Sequence, residues 1–297
     1  MCTAINDTSK IHLFGRTLDV EKSYGEKVVI TPRQFPLHFL HESEITNHPA
    51  IIGTALVVDN KPLYYDAMNE NGLCIAALRF PELTTYHDKK ADRYNLASFE
   101  LIPWLLCNFD SATSAKHALQ NTNVTPESFS DKLPSTPLHW LVGDSKDSFV
   151  VESTKDGLKI YDNPYGVLTN TPEFPTQCYI FEERGRPMLG DLSSSSRFVR
   201  AINAKDHTAS SADKVESISR FFHIMSTVNQ PAGLFQADER KLRTEYTACM
   251  DTEDLTYYFT TYSCRRLRGI KMKNADLDGS TPKSFPMTQG ECIDFLN

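Results

Sequence analysis

Residues 1–20 read MCTAINDTSKIHLFGRTLDV. A cysteine follows the initiator methionine directly. Methionine aminopeptidase removes Met1 when the next side chain is small, and Cys qualifies, so the mature chain is expected to begin at Cys2. That residue then carries a thiol and a free α-amine together. An α-amine titrates near pH ~8, so part of it is neutral at physiological pH and able to take the proton of its own thiol. Nucleophile and base come from one residue. Read alone, Cys2 is better taken as an incidental small residue at a frayed terminus.

The same stretch leads through Thr3 and Ala4 to a strand, Ile11–Val20, near whose end Arg16 and Asp19 stand three residues apart. A guanidinium beside sulfur favours the thiolate, and a carboxylate holds and polarises an α-ammonium. A surface salt bridge has the same spacing, and the residues themselves leave both readings open.

Outward from this point, short runs rich in β-branched residues and bounded by Gly, Pro and Asn predict strands over Lys27–Thr31, Ile51–Val58 and Leu73–Phe80. Helices are expected over Leu96–Asn108 and after Asp110, a candidate N-cap followed by Ala112, Ala115 and Ala118. Strands return at His139–Val142, Phe149–Glu152, Leu158–Tyr161 and Gly166–Leu168. Helices follow at Ser196–Ile202 and Asp213–Val228, the second with Val215, Ile218, Phe221, Phe222 and Met225 on one face. Leu255–Thr261 and Gly269–Lys273 close the series as strands. Strand runs separated by helix pairs predict an α+β fold of antiparallel sheets with helices packed outside them. No repeat or linker interrupts the 297 residues, so one domain spanning 1–297 is expected.

Composition excludes several function classes. A net charge of -7 with scattered basic residues argues against a nucleic-acid partner. There is no leader-like start and no apolar run long enough to span a bilayer, which predicts a cytoplasmic protein without a membrane partner. Seven cysteines (Cys2, Cys74, Cys107, Cys178, Cys249, Cys264, Cys292) form no CxxC pair and are expected as thiols. His38, His41 and His48 lack an HExxH-type spacing, so no metal is expected. Cys74, Trp140, Tyr257, Tyr258 and Phe259 read as core and strand residues. Lys10 and Arg265-Arg266-Leu267-Arg268 read as solvated surface.

Seven segments, in order, resemble the choloylglycine hydrolase family of bile salt hydrolases and penicillin V acylases. They are MCT, LFGRTLD (Leu13–Asp19), AMNENGL (Ala67–Leu73), LHWLVGD (Leu138–Asp144), GVLTNTP (Gly166–Pro172), GDLSSSSRF (Gly190–Phe198) and EYTACMD (Glu245–Asp251). The resemblance implies an αββα sandwich of the N-terminal-nucleophile type, with no cofactor. It implies Cys2 as nucleophile, Asp19 holding its α-amine, Arg16 and Arg197 tuning the thiol and closing the pocket, and Asn170 donating its amide to the oxyanion. From its neighbours alone, Asn170 before Thr171-Pro172 is equally a turn residue. The implied reaction is hydrolysis of a conjugated bile salt through a Cys2 thioester. The alternatives are penicillin V or another N-acyl amide as substrate, and a non-catalytic bile-acid or lipid binder, which has no need of an N-terminal thiol.

Two departures from the family pattern bear on substrate. Arg79 stands where bile salt hydrolases carry Asn and penicillin V acylases Tyr. Its backbone N–H remains available to an oxyanion, while its side chain is open to three readings: pairing with a glycine carboxylate or taurine sulfonate, pointing to solvent, or blocking the acyl site. Phe80 beside it reads as a core and strand residue, with a place in an acyl pocket as the alternative. Only 24 residues lie between Pro172 and Arg197. This shortened arm leaves the oligomeric state open among monomer, dimer and a larger homo-oligomer.

Overall fold

Burial alternates along the strands so that two faces of one sheet feed two separate cores, and this pattern organises the fold. The structure is a computed structural model that describes residues 1–184, 190–237, 240–287, 290–291 and 293–297. One sheet is formed by β1 (Cys2–Asp7), β2 (Leu13–Val20), β12 (Val167–Leu168), β13 (Phe235–Ala237), β14 (Arg240–Asp251), β15 (Thr256–Thr261) and β16 (Cys264–Lys271). Its order is β12-β1-β2-β14-β15-β16, with β13 paired to β14. The other is formed by β3 (Lys27–Thr31), β4 (Ile51–Val58), β5 (Lys61–Asn69), β6 (Cys74–Arg79), β9 (Leu138–Gly143), β10 (Ser148–Thr154), β11 (Gly157–Asp162) and β17 (Lys283–Pro286). Its order is β11-β10-β9-β6-β5-β4-β3-β17, and all pairings in both sheets are antiparallel.

In β6, Cys74, Ala76 and Leu78 face the core between the sheets, while Ile75 and Ala77 face the outer core. Strand geometry requires this split. The outer core is covered by α1 (Leu101–Asn108) and α2 (Ala112–Leu119), which lie between the parallel pair β7 (Tyr94–Ala97) and β8 (Thr122–Thr125). α4 (Ser194–His207) and α5 (Lys214–Ser226) pack on the opposite sheet, next to α3 (Phe174–Arg184). Helices outside two facing sheets give the expected α+β sandwich. α5 approaches closely at Gly15, where a Cβ would sit 2.0 Å from Ala248 O and 2.9 Å from the Phe221 ring.

Several boundaries differ from the sequence expectation. Leu96 belongs to β7, and the first helix begins only at Leu101. Ser111, not Asp110, is the N-cap of α2, its side chain accepting from Ser114 N. Val215 is 76% exposed, so the buried face of α5 is Ile218, Phe221, Ile224 and Met225. β1, β5, β14 and α3 carry no sequence signal that a periodicity reading detects: β1 is buried at all six residues and shows no alternation. Trp140, Cys74, Tyr257 and Phe259 are buried as expected. Cys292 and part of the short arm, residues 185–189, lie outside the described residues; the other six cysteines are free thiols. Among the described residues no helix is long and apolar enough to cross a membrane.

Candidate active site

β1 is flanked on both sides, by β2 and by β12, which fixes Cys2 inside the sandwich at the start of its strand. The register pairs Cys2 with Leu18 and Ala4 with Arg16, so the thiol, Leu18 and Arg16 share the face between the two sheets. Cys2 is 2% exposed. With Met1 attached, Cys2 N is a peptide nitrogen and donates to Asn170 Oδ1 at 2.8 Å. Met1 N donates to Asp19 O at 2.6 Å, and Asp19 N donates to Met1 O at 2.8 Å. Burial holds the Met1 ammonium below its usual pKa, against the opposing charges of Cys2 and Asp19.

Asn170 follows β12 and is held at every polar atom. Its N–H donates to Ser194 Oγ at 2.8 Å, its carbonyl accepts from Gln177 Nε2 at 2.5 Å, and its Nδ2 donates to Arg79 O at 2.7 Å. Ser194 Oγ also donates to Thr169 Oγ1, so the first turn of α4 is locked onto the end of β12. The side chain of Ser193 caps that helix by accepting from Ser196 N. Arg197 then reaches Cys2. Its Nη1 donates to Cys2 O at 2.5 Å and Thr3 Oγ1 at 2.7 Å, its Nη2 to Asn170 Oδ1 at 2.8 Å and its Nε to Leu192 O at 3.1 Å. Burial pulls its pKa below the ordinary value, opposed by Asp19 and Cys2. Arg200, one turn on, instead bonds the carbonyls of Thr227, Gly190 and Asp191.

Arg16 is 1% exposed and anchored by three backbone carbonyls, Nε to Thr17 O at 3.1 Å and Nη1 to Ala77 O at 2.6 Å and Tyr65 O at 3.2 Å. Its Nη2 is buried without a hydrogen-bond partner. Burial opposes its charge, but Cys2, Tyr246, Asp66 and Asp19 together outweigh burial and raise its pKa. Asp19 faces the other side of β2, toward β14 and the segment after α5. Thr244 Oγ1 donates to its Oδ1 at 2.7 Å and Gln230 Nε2 to its Oδ2 at 3.2 Å.

Arg79 ends β6. Phe80 N donates to Pro137 O, and Arg79 pairs with Leu138, so antiparallel alternation turns the Arg79 peptide groups away from β9. Its carbonyl meets Asn170 there, and its N–H points to the same side; the side chain is exposed. Phe80 is a core residue, the first of its two readings. Its ring is fully buried and stacks on His139 with centroids 4.3 Å apart, so it supports Arg79 from beneath and offers no open surface.

The structure therefore brings Cys2, Arg16, Asn170 and Arg197 together, with Asp19 bonded to Met1 through its backbone and the Arg79 peptide on Asn170. Sequence reasoning missed Ser194, Gln177, Thr244 and Gln230, which fix these residues from distant segments. No spacing rule links them; only the register of β2 with β14 and the docking of α4 do. Among the described residues no group of three or more His, Cys, Asp or Glu side chains is placed to hold a metal ion.

Comparison with known proteins gives a consistent result. The profile described as linear amide C–N hydrolases, choloylglycine hydrolase family, matches residues 2–184 and 179–285. A protein of Lactiplantibacillus plantarum named bile salt hydrolase/transferase is 42% identical over 314 residues, covering 97% of each chain. The crystal structure of a mutant conjugated bile acid hydrolase from Clostridium perfringens is 31% identical, covers 100% of both chains and superimposes with a TM-score of 0.91. A penicillin V acylase structure from Agrobacterium tumefaciens shares the fold, at a TM-score of 0.81 and 21% identity over 98% of this chain and 95% of its own.

Proposed function

The chain belongs to the choloylglycine hydrolase family and is a linear amide C–N hydrolase, and from that premise we propose that it cleaves glycine- or taurine-conjugated bile salts through a thioester on Cys2. The observation that carries this reading is the convergence of Arg197 and Asn170 on the Cys2 peptide, with Arg16 on the same face as the thiol. Similarity over the full length to proteins named bile salt hydrolase/transferase and conjugated bile acid hydrolase supports the substrate class.

Once Met1 is removed, the nitrogen that donates to Asn170 Oδ1 becomes the α-amine of Cys2. In its neutral form it accepts the thiol proton, and the sulfur, with buried Arg16 on its strand face and buried Arg197 on the Cys2 carbonyl, attacks the amide carbonyl. The carbonyl oxygen gains negative charge, which the Arg79 N–H and the Asn170 amide are positioned to stabilise. Collapse breaks the C–N bond, and the α-ammonium returns the proton to the departing amine of glycine or taurine. Water, deprotonated by the same amine, then attacks the thioester and releases the free bile acid and the thiol. No step requires a cofactor.

Incubation with glycocholate, taurocholate and penicillin V in parallel tests the proposal, with amino acid and cleaved acid quantified. Equal amounts of cholate and glycine or taurine are expected, and thiol alkylation should abolish all turnover. Cleavage of penicillin V without release from either conjugate would overturn the substrate assignment. Undiminished ligand affinity with no turnover before alkylation would identify a binder instead.

A further inference from the structure

Behind the Cys2 site lies a buried acid that the reaction scheme does not use. Asp66 sits on β5, paired with Ala76 of β6, and is fully buried. Tyr246 Oη donates to its Oδ2 at 2.5 Å and Tyr257 Oη to its Oδ1 at 2.6 Å. Tyr257 Oη also bonds Thr54 Oγ1 at 2.6 Å. Two tyrosine hydroxyls within hydrogen-bond reach of its two oxygens, with the Arg16 guanidinium nearby, supply the partners a buried carboxylate needs. Burial pushes this carboxyl above its ordinary value, and Arg16, Tyr246 and Tyr257 oppose that push only in part.

The guanidinium of Arg16 lies against the same place. Nη1 is bonded to the carbonyls of Tyr65 and Ala77, the neighbours of the Asp66–Ala76 pair. Tyr246, which holds Asp66, pairs across β14 with Leu18 and so flanks Arg16 on the shared face. Arg16 thus shares the face of the Cys2 side chain and is anchored to the two strands that carry the Asp66–Ala76 pair, while its Nη2 makes no hydrogen bond.

We infer that Asp66 is a positioning residue of the nucleophile site: clamped by Tyr246 and Tyr257, its carboxylate shares the charge of Arg16 and so sets how strongly that charge acts on the Cys2 sulfur. The inference rests on Cys2 being the nucleophile. Three backbone carbonyls keep Arg16 in place whether or not Asp66 is charged. Neutralising Asp66 therefore leaves the guanidinium where it is and frees its field for the thiolate. The charged or titratable groups around this centre are Asp19 on β2, Asp66 and Tyr65 on β5, Tyr246 on β14, Tyr257 on β15, Arg197 on α4 and the chain terminus.

The test is the pH dependence of iodoacetamide alkylation of Cys2 in the full processed chain, followed on the N-terminal peptide by mass spectrometry. Asp66→Asn should lower the midpoint of that titration by about one pH unit, with unchanged circular dichroism. An unchanged or raised midpoint in the folded variant overturns the inference. Should Asp66→Asn fail to fold, the double variant Asp66→Asn/Arg16→Gln removes the two buried charges together. Its midpoint should stay within about half a unit of wild type; an upward shift of a unit or more means that Arg16 acts without Asp66. Because alkylation needs no amide substrate, a chain that fails to cleave bile salts still reports on Asp66, and the two readings fail separately.

Discussion

Arg197 Nη2 donates to Asn170 Oδ1 at 2.8 Å, onto the same oxygen that accepts from Cys2 N. A guanidinium has no acceptor, so this contact fixes which way the Asn170 amide points. Oδ1 faces Arg197 and Cys2, and Nδ2 is left facing the Arg79 peptide, beside the N–H proposed to meet the oxyanion. Asn170→Ala should lower kcat for glycocholate by roughly 100- to 1000-fold with little change in KM, the usual loss for one oxyanion donor. Asn170→Asp, which keeps the shape but loses the donor, should fall nearly as far. Steady-state kinetics of both variants check this, and an Asp variant within tenfold of wild type would contradict it.

Among the described residues Arg197 donates to four neutral oxygens and the Met1 sulfur and to no carboxylate, so its removal strands buried oxygens on Cys2 and Thr3. Arg197→Met should cost about 3 kcal/mol in denaturant unfolding as well as most of the activity. Arg197→Lys should recover only part of either, because an ammonium cannot span the same fork.

Arg79 separates specificity from chemistry. Its backbone lies on Asn170 while its side chain is exposed. Arg79→Asn should therefore raise KM for glycine and taurine conjugates by about tenfold, within the range of one charge-assisted contact, and leave kcat within about threefold. An unchanged or lower KM would rule out the pairing of Arg79 with the anionic leaving group.

At the opposite end of β1, His12 is bonded to Asn6 and Thr252, and burial pushes it down to about 4, against Asp144, Asp7 and Asp251. In the unfolded chain it titrates near pH ~6.5. Between those values the unfolded chain binds a proton that the folded chain does not, so stability is full above about 6.5 and is lost as pH falls toward 4, by about 3 kcal/mol. Denaturant titrations from about pH 7 to 4 should show this slope in wild type and a shallower one in His12→Gln.

The sequence made legible what local patterning controls. Leu13–Val20, Ile51–Val58 and Cys74–Arg79 are strands for their β-branched and apolar residues, and Asp213 caps α5 as its position before a helical run suggests. β1 was hidden because a strand paired on both sides and buried on both faces has no period-2 contrast. Val215 continues the apolar spacing of α5 into solvent, which spacing alone does not reveal. At the site, the motif-bearing residues Cys2, Arg16, Asn170 and Arg197 could be named from their segments. Thr244 and Gln230, which hold Asp19, and Tyr246 and Tyr257, which hold Asp66, could not, because their roles exist only after β14 and β15 are placed in register with β2 and against β5.

Rapid acid quenching of the purified chain with glycocholate, followed by intact-protein and N-terminal-peptide mass spectrometry, addresses the central claim most directly. The account predicts a chain that begins at Cys2, carries a transient cholyl group on that residue, and releases glycine and cholate in equal amounts, with adduct and products both absent in Cys2→Ala. Release of cholate by a chain that retains Met1, or by Cys2→Ala, would contradict it.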